Sequence, residues 1–330
     1  MISLSVIIPV YNTSEYLREC VESAGRHDNV EIILVDDGSD DAASSASCDE
    51  IARERSNVRV IHSEKRGLGG ARELGLAHAE GEYVLFLDSD DLLTEDAIPS
   101  VISAAEEHGR PDVIEFGFII RGESGTDTLH RESICRADGT YTVRERPERL
   151  LSLPSAWSRA WRREFLTGTA IAFPSRLRYE DLATVPALLA AAGSICSIGE
   201  ALYVYRSRAG SIMTDTDPDK NRDIMTAFDL LISRFDALNL TDTYRSELSH
   251  LAVTHVLLAA SVRVLSCGAG SESFALVREL IAYVRDRFPD FERKPYIRRL
   301  NARQRTLLYA LSGGRLNQAH LLVRLHNAVS

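Results

Sequence analysis

Short apolar runs alternate with helix-like segments over the first 120 residues of the chain. Five of the runs predict strands: LSVIIPVY, VEIILVDDG, VRVIHSE, EYVLFLDSDD and DVIEFGFII. The segments that follow the first four runs have the spacing or composition of helices. Strands that alternate with helices form βαβ units. The pattern therefore predicts an α/β fold with a mostly parallel sheet and helices on both of its faces.

The pattern changes twice further along the chain. Residues 121–215 mix polar stretches with short helical segments. Residues 216–330 predict amphipathic helices, among them DIMTAFDLLISRFDAL and SESFALVRELIAYVRDRF. We therefore predict three parts, which are a sheet-forming half at 1–120, a mixed half at 121–215 and a helical C-terminal extension at 216–330.

Polar and charged residues cluster where the predicted strands end. The four turns are Pro9-Val10-Tyr11-Asn12, Asp36-Asp37-Gly38-Ser39, Lys65-Arg66-Gly67-Leu68-Gly69-Gly70 and Asp88-Ser89-Asp90-Asp91. In open parallel sheets, ligands bind outside the carboxyl ends of the strands. Asp, Ser and Gly also favour solvated turns and helix caps, which would explain any one of these turns on its own. Four such turns at one edge of the sheet favour a binding site.

The fourth turn places three carboxylates, Asp88, Asp90 and Asp91, directly after the apolar run YVLFL. Like charges at this spacing repel one another, and a divalent cation would neutralise them. Carboxylate oxygens are preferred ligands of Mg²⁺ and Mn²⁺, whose sites usually also contain water and substrate phosphates. Asp88 and Asp90 flank Ser89, so their side chains could lie on one side of a continued strand. We therefore predict that these two aspartates hold Mn²⁺ or Mg²⁺ together with a diphosphate.

The other turns supply groups that suit a nucleotide. The glycines of residues 67–70 permit a close approach of backbone to phosphate, and Arg72 adds positive charge. Tyr11 can stack on a base, and Asp36 or Asp37 can accept hydrogen bonds from the N–H groups of that base. The edge as a whole predicts a nucleoside-diphosphate site with a metal ion.

In their order and content these segments resemble the family-two glycosyltransferases of the GT-A fold, of the bacterial polysaccharide and glycolipid type. The matching segments are SVIIPVYN, ILVDDGSDD, RGLGGAR, YVLFLDSDD with its DxD motif, the pair AWSRAWRREFL and FPSRLRYEDL, and YVYRSRAGSI. The resemblance covers roughly residues 1–215 and leaves the helical remainder out.

The resemblance implies an inverting transfer of a sugar from a nucleotide-diphosphate donor, usually a UDP-sugar. The acceptor would be a hydroxyl of a saccharide, a glycolipid or a cell-surface polymer. Residues 1–120 would bind the donor, and residues 121–215 would lie on the acceptor side. Asp181 would be the general base with Glu180 beside it, and Asp88 and Asp90 would serve the metal and the ribose-diphosphate. The remaining donor contacts would be Pro9, Tyr11, Asp36, Asp37, Gly67, Arg72 and Ser89.

Four residues in or next to the matching segments qualify this interpretation. Many members of the family have Asn where this chain has Glu73, and Lys where it has Arg159, so the identity of the donor sugar stays open. Glu180 opens an apolar helix with Asp181 beside it, and acids at that place also stabilise a helix N-terminus. The structural role and the catalytic role are compatible.

Two other functions use similar elements. A metal-dependent nucleotidyltransferase would more naturally carry a glycine-rich, basic loop after the first strand, where this chain has Pro9-Val10-Tyr11-Asn12. A non-catalytic carbohydrate-binding module would have no need of both the DxD motif and the Glu180-Asp181 pair. Trp157 and Trp161, four positions apart, either pack together or present one ring to a sugar on the acceptor side.

Charge and hydropathy bear on partners and location. The five cysteines are scattered and include no CxxC pair, so we expect neither a disulfide framework nor a zinc site. No apolar run reaches the length of about 20 residues that spans a bilayer, and the N-terminus lacks a basic leader, which predicts a cytoplasmic protein. The net charge of −10 argues against nucleic acid as a partner.

The C-terminal tail is an exception to the acidic average. From residue 291 onward it carries eight Lys or Arg side chains and one acidic residue. Leucines in the same segment, Leu307, Leu308, Leu311, Leu321, Leu322 and Leu325, could form one apolar face. We predict that this face meets the inner surface of a membrane or an anionic, lipid-linked acceptor. The alternative is that the leucines pack on the preceding helices or, in a homodimer, on a second subunit, with the arginines paired to the acidic remainder of the chain.

Overall fold

The computed structural model describes residues 2–122, 124–130, 139–207, 218–268, 270–293 and 295–327. The chain forms two compact units, Met1–Arg208 and Ala209–Ser330. The predicted boundary between residues 215 and 216 lies outside the described residues, and so does Cys135. The predicted boundary between residues 120 and 121 falls at the end of the strand Val113–Arg121. It stays a prediction.

The N-terminal unit is built on one sheet. Its strands in the described residues are β1 (Leu4–Val10), β2 (Val30–Asp36), β3 (Val58–His62), β4 (Tyr83–Phe86), β5 (Leu92–Leu93), β6 (Val113–Arg121), β7 (Asp127–Leu129), β8 (Arg159–Arg162) and β9 (Ile195–Arg206). Their order across the sheet is β3-β2-β1-β4-β8-β6-β9-β5, with β7 paired to β6.

Most of the sheet is parallel, which confirms the predicted fold class. The strands β1, β2, β3, β4, β6 and β9 run in one direction. β8 runs the other way between β4 and β6, so the fourth and fifth predicted strands are not neighbours. The sequence pattern missed β8 because it is short and begins and ends with arginine. Its central residues Ala160 and Trp161 are fully buried.

Helices flank this sheet close to the predicted places. They are α1 (Ser14–Ser23), α2 (Ala42–Glu54), α3 (Gly67–His78), α4 (Ala97–Glu107), α5 (Arg163–Gly168) and α6 (Glu180–Ala191). Pro99 lies in the first turn of α4, where its missing N–H would have had no helical partner. One of the short helical segments predicted within residues 121–215, RPERLLSL, contains a short 3₁₀ helix, Pro147–Leu151.

A close contact fixes α3 on the sheet. A Cβ atom added to Gly75 would lie 2.3 Å from the Cγ2 of Ile7 in β1. The glycine therefore lets the backbone of α3 approach the buried strand, and α3 carries Arg72 one turn earlier. This packing places the start of α3 beside the carboxyl ends of the central strands.

The C-terminal unit is helical, as predicted. It contains α7 (Pro218–Ala237), α8 (Arg245–Leu251), a π-helical stretch (Ala252–Ala259), α9 (Ala260–Ser266), α10 (Ser271–Arg287), α11 (Ala302–Ser312) and α12 (Leu316–Asn327). Two 3₁₀ turns, Phe291–Arg293 and Pro295–Arg299, precede α11. In the part of the chain that is described, one helix, Arg245–Ser266, is long and apolar enough to cross a membrane. Because 67% of its apolar window is buried inside the fold, its composition also fits a core helix.

Candidate active site

The carboxyl ends of the central parallel strands lie at one edge of the sheet. Val10 pairs with Asp36 in neighbouring β1 and β2, and Ile7 pairs with Phe86 in neighbouring β1 and β4. The backbone N–H of Asp37 donates to the carbonyl of Val10 at 2.9 Å. The turns that follow β1, β2 and β4 therefore lie side by side, as the parallel arrangement predicts.

Arg72 joins this edge to the start of α6. Its side chain is 1% exposed, and its guanidinium contacts three carboxylates. Nη2 donates to Asp88 Oδ1 at 3.0 Å. Nη1 donates to Glu180 Oε1 at 2.9 Å and to Asp181 Oδ1 at 2.7 Å. One cation thus connects the aspartate turn after β4 with the two acids that open α6. We call these four residues the Arg72 cluster.

The electrostatics of the Arg72 cluster follow from its burial. Burial alone would lower the pKa of Arg72, but Asp181, Asp88 and Glu180 raise it, so the guanidinium stays charged. Burial raises the pKa of Asp88 despite the attraction of Arg72. Burial and the neighbouring charge of Asp181 also raise the pKa of Glu180. A single guanidinium therefore balances three acids only in part, and a proton is held more readily on Glu180 than on an exposed glutamate.

The three carboxylates of the fourth turn have different environments. Asp88 is 22% exposed at its side chain and contacts Arg72. Asp91 is 1% exposed and accepts hydrogen bonds from Tyr203 Oη at 2.7 Å and from the backbone N–H of Arg206 at 2.7 Å. Asp90 is half-buried at the edge. The repulsion within the turn is thus relieved partly by protein groups, and Asp91 fastens the turn to β9.

Ser89 is also turned into the protein. It is 5% exposed and accepts a hydrogen bond from Thr13 Oγ1 at 2.8 Å. Its predicted contact with a donor stays a prediction. In the structure its hydroxyl connects the aspartate turn to the start of α1.

The carboxylates of the second turn organise the neighbouring backbone. Asp36 is 3% exposed and accepts from Ser39 N at 3.0 Å and from His62 Nδ1 at 2.9 Å. Asp37 is 4% exposed and accepts from the backbone N–H groups of Arg66 at 2.6 Å and Gly67 at 2.8 Å. Both side chains thus have partners within the protein, and their predicted contacts with a base remain predictions.

Tyr11 remains at the surface of the edge. It is half-buried, its hydroxyl donates to Asp40, and Lys65 Nζ lies 3.7 Å from the centre of its ring. Lys65 therefore covers the aromatic face that a base would use, and its exposed side chain would have to move for stacking. Pro9 is buried in β1 beside this residue.

The glycines of the third turn accommodate protein backbone. A Cβ atom at Gly69 would lie 2.3 Å from the carbonyl oxygen of Pro174, and one at Gly67 would lie 3.1 Å from Arg176 N. Gly67 also has a φ of +77°, which disfavours other residues. The expected close approach of a phosphate is therefore taken by residues 174–176, which lead into the acids of α6. The predicted donor contact of Gly67 is untested.

The two tryptophans are core residues, which argues against the alternative in which one of them presents its ring to a sugar. Trp161 is fully buried, and Trp157 is 7% exposed. Trp157 stacks on Tyr203 with ring centres 4.4 Å apart and meets the ring of Phe118 edge to face at 4.9 Å. Trp157 therefore supports the aspartate turn indirectly, because Tyr203 donates a hydrogen bond to Asp91.

Sequence reasoning missed two residues of this region. Tyr203 is one of two tyrosines in the apolar segment LYVY, and nothing in the sequence indicated which group its hydroxyl would contact. Arg206 contacts Glu19 at 2.6 Å through Nη1, and its Nε and Nη2 are buried without a partner in the described structure. A charged residue directly after a buried strand was the available signal for Arg206.

The lining of a separate 320 Å³ cavity between α1 and α2 includes none of the edge residues.

A mostly parallel sheet whose carboxyl edge joins an aspartate turn to an acidic helix start defines the class of GT-A glycosyltransferases. Residues 5–166 match Glycosyl transferase family 2. Glycosyltransferase GlyG of Streptococcus pneumoniae is 31% identical over 280 residues, which cover 76% of this chain and 90% of GlyG. The minor teichoic acid biosynthesis protein GgaB of Bacillus subtilis is 35% identical over 39% of this chain and 15% of GgaB. The chain belongs to glycosyl transferase family 2 and is a glycosyltransferase.

Solved structures agree on the fold. The crystal structure of S. aureus TarS 1–349 in complex with UDP-GlcNAc matches with a TM-score of 0.68 at 20% identity. The match covers 99% of this chain and 92% of that chain. The complex of the same TarS fragment with UDP matches with a TM-score of 0.66. At this identity the likeness establishes the GT-A fold and no more.

Proposed function

We propose that this glycosyltransferase moves a sugar from a UDP-sugar, with inversion at the anomeric carbon, to a hydroxyl of a saccharide, a glycolipid or a cell-surface polymer. The observation that carries the proposal is the Arg72 cluster. It holds Asp88, from the turn that would face the donor, and Asp181, which would face the acceptor, on one guanidinium. The similarity to GgaB, a minor teichoic acid biosynthesis protein, supports a cell-surface polymer as the acceptor. The likeness to TarS, solved in complex with UDP-GlcNAc, supports a UDP-sugar as the donor.

Asp181 is the proposed general base. In a single displacement, its carboxylate takes the proton of the acceptor hydroxyl while that oxygen forms a bond to the anomeric carbon. The bond between this carbon and the diphosphate oxygen breaks in the same step, and the diphosphate leaves with the electron pair. Arg72 holds Oδ1 of Asp181 at 2.7 Å, and the backbone N–H of Ala156 holds Oδ2 at 3.0 Å. Both contacts orient the carboxylate, whose side chain is 18% exposed.

Glu180 is the second candidate for the base. Its raised pKa lies nearer to neutral pH, which suits a general base. It is however less exposed than Asp181, with 11% against 18% of the side chain accessible. Asp181 is therefore better placed to reach an acceptor.

Incubation with a panel of nucleotide sugars tests the proposed function. The enzyme, Mn²⁺ and simple saccharide acceptors are mixed with each donor, and the products are identified by mass spectrometry. We expect release of UDP and a glycosylated acceptor or, without a suitable acceptor, slow hydrolysis of the donor. Release of pyrophosphate would instead indicate a nucleotidyltransferase, and binding without any product would indicate a carbohydrate-binding module.

A divalent cation, Mn²⁺ or Mg²⁺, is the proposed cofactor. Within the described residues no group of three or more His, Cys, Asp or Glu side chains is placed to hold a metal ion. Mg²⁺-type sites nevertheless commonly use one or two carboxylates and complete their shell with water and substrate phosphates. Asp90 and Asp88, partly exposed at the edge, fit such a site. When bound, the ion would stabilise the negative charge of the departing diphosphate.

The variant Asp90→Ala tests this cofactor through nucleotide binding. We expect the affinity for UDP in Mn²⁺ to fall by at least about 10-fold, because a ligand of the ion is lost. Affinity in EDTA should be the same for both proteins, as measured by titration calorimetry. Asp96→Ala is the matched control, since Asp96 is an exposed carboxylate nearby whose side chain caps no helix. Equal UDP affinity of the parent protein in Mn²⁺ and in EDTA would refute the metal site.

An anionic membrane surface is the proposed partner of the C-terminal unit, which would place the enzyme at the cytoplasmic face of a membrane. Leu307, Leu308 and Leu311 are buried within the unit, so the six leucines do not form one face. Among the described residues of this unit, three large apolar side chains are exposed instead, namely Tyr309 (58%), Leu321 (57%) and Leu325 (58%). Exposed arginines accompany them, namely Arg303 and Arg305 on α11, Arg315 between the two helices and Arg324 on α12. Basic residues near an anionic leaflet contribute about 1 kcal/mol each.

The double variant Leu321→Ser/Leu325→Ser tests this surface. We expect the intact protein to sediment with phosphatidylglycerol vesicles at low salt, and the variant to bind at least about 10-fold more weakly, because it lacks two exposed leucine side chains that the membrane would bury. Leu129→Ser, an exposed leucine of the N-terminal unit, is the control. Vesicle binding that is equal in the intact protein and the double variant would refute the proposal. A change from dimer to monomer in the double variant would assign the surface to a second copy.

A further inference from the structure

Arg159 in β8 is a buried arginine that lies outside the Arg72 cluster. The residue is 2% exposed. Its Nε donates to Glu115 Oε1 at 3.1 Å, and its Nη2 lies 3.0 Å from the same oxygen. This pair joins the antiparallel strand β8 to its neighbour β6. Only part of the guanidinium is used in this way, because an arginine has five N–H groups.

The remaining N–H groups of Arg159 hold the loop of residues 152–158. Nη1 donates to the carbonyl oxygens of Ser155 at 2.8 Å and Leu153 at 3.2 Å. Nη2 donates to Ser152 Oγ at 2.7 Å. The loop contains no helix or strand of its own, so these contacts are a main source of its order. One side chain thus fastens the loop to the sheet.

The charge of this arginine is balanced inside the protein. Burial alone would raise the pKa of Glu115, but Arg159 and Arg149 lower it to about 2. Glu115 also accepts hydrogen bonds from Tyr141 Oη at 2.7 Å and from Ser197 Oγ at 3.1 Å. The glutamate is therefore ionised and fully engaged, which gives the guanidinium a fixed anchor.

The loop contacts the proposed base through one of its backbone groups. The backbone N–H of Ala156 donates to Asp181 Oδ2 at 3.0 Å. The carbonyl of the same residue accepts from Trp161 Nε1 at 3.1 Å, so this part of the backbone is held on two sides. Any movement of the loop would change the direction of the Asp181 carboxylate, whose other oxygen is held by Arg72.

We infer that Arg159 is a positioning residue for glycosyl transfer. By holding residues 152–158 against the sheet, it keeps the Ala156 N–H on Asp181 and so fixes the orientation of the carboxylate toward the acceptor. The inference rests on the proposed role of Asp181 as the base. In this chain a lysine would make fewer of these contacts, because a single ammonium group does not reproduce the planar fork that spans Glu115 and the loop.

A double-mutant cycle with Arg159→Lys and Asp181→Asn tests the inference. A misplaced catalytic group is costly, so we expect Arg159→Lys alone to lower kcat by about 10-fold. The affinity for UDP, measured by calorimetry, should be unchanged. In the Asp181→Asn background the same replacement should have no further effect on kcat, because the group that it positions is already inactive.

The control is Arg162→Lys. Arg162 lies in the same strand and pairs with Asp112, but it makes no contact with residues 152–158. Turnover of this variant should equal that of the parent. A loss of turnover by Arg159→Lys that is equally large in both backgrounds would show a general structural role and overturn the inference, as would unchanged turnover. Near-normal turnover of Asp181→Asn alone would instead refute the proposed base.

Ser152→Ala covers the case in which Arg159→Lys does not fold. The change removes one contact between the loop and the guanidinium and leaves the pair of Arg159 with Glu115 intact. We expect a smaller loss of kcat that also disappears in the Asp181→Asn background. A loss that persists in that background would contradict the inference.

Discussion

We expect Asp181→Asn to lower turnover by at least about 10²-fold, the lower range for the loss of a general base. Asparagine keeps the shape of the side chain, and its single amide oxygen can still accept from either Arg72 or Ala156, but it cannot take the acceptor proton. UDP affinity should hardly change, because the proposed donor contacts are untouched. Initial rates of UDP release with a saturating donor, together with calorimetric UDP binding, provide the measurement.

Glu180→Gln is the matched variant for this experiment. The two acids are neighbours on the same guanidinium, so both replacements remove one negative charge from the same cluster. We expect the smaller loss from Glu180→Gln. The reverse order, with near-normal turnover of Asp181→Asn, would move the base to Glu180.

We expect Arg72→Met to have the second large effect, because it should lower both the stability of the protein and its turnover. The change leaves Asp88, Glu180 and Asp181 together without their shared cation. Removing one partner of a buried ion pair costs about 3–5 kcal/mol of folding free energy. Turnover should fall by at least about 10²-fold, because the base loses the contact that orients it.

The loss of stability in Arg72→Met should be smaller at pH 5 than at pH 7. Burial already raises the pKa of Glu180, and removal of Arg72, whose charge lowers that pKa, raises it further, so the folded variant binds a proton there more tightly than the unfolded state and more tightly than the folded parent. Stability from this group therefore increases as the pH falls. Urea unfolding at both pH values measures the effect. Arg162→Met is the control, since its guanidinium is 32% exposed and pairs with Asp112 outside the cluster. Equal unfolding free energies of Arg72→Met and the parent at pH 7 would contradict the account.

The sheet and the meeting of its polar turns were predictable from local patterns. Apolar runs such as residues 83–87 are typical of buried parallel strands, and parallel strands end at one edge. β8 could not be predicted in the same way, because Arg159 and Arg162 interrupt its apolar pattern. The charge of Arg159 is tolerated inside the sheet because this residue is paired with a buried glutamate from another strand.

The partners of the site residues were harder to predict than their places. Arg72 lies 108 residues before Glu180 in the chain, and no spacing rule relates residues so far apart. The glycines at 67–70 predicted a close approach of a phosphate, which stays a prediction, and they did not reveal that the backbone of residues 174–176 lies against them. Asp91 likewise is of a residue type that commonly binds metal ions. Only the structure shows that Tyr203 and Arg206 each donate a hydrogen bond to one of its two oxygens.

Product stereochemistry tests the central claim most directly. Once the donor screen has identified a UDP-α-sugar and an acceptor, proton NMR during the reaction reports the anomeric configuration of the new bond. The account predicts a β-linked product from the first turnover, because Asp181 acts as a base in one displacement and no sugar is attached to the enzyme. An α-linked product, formed with retention, would contradict it.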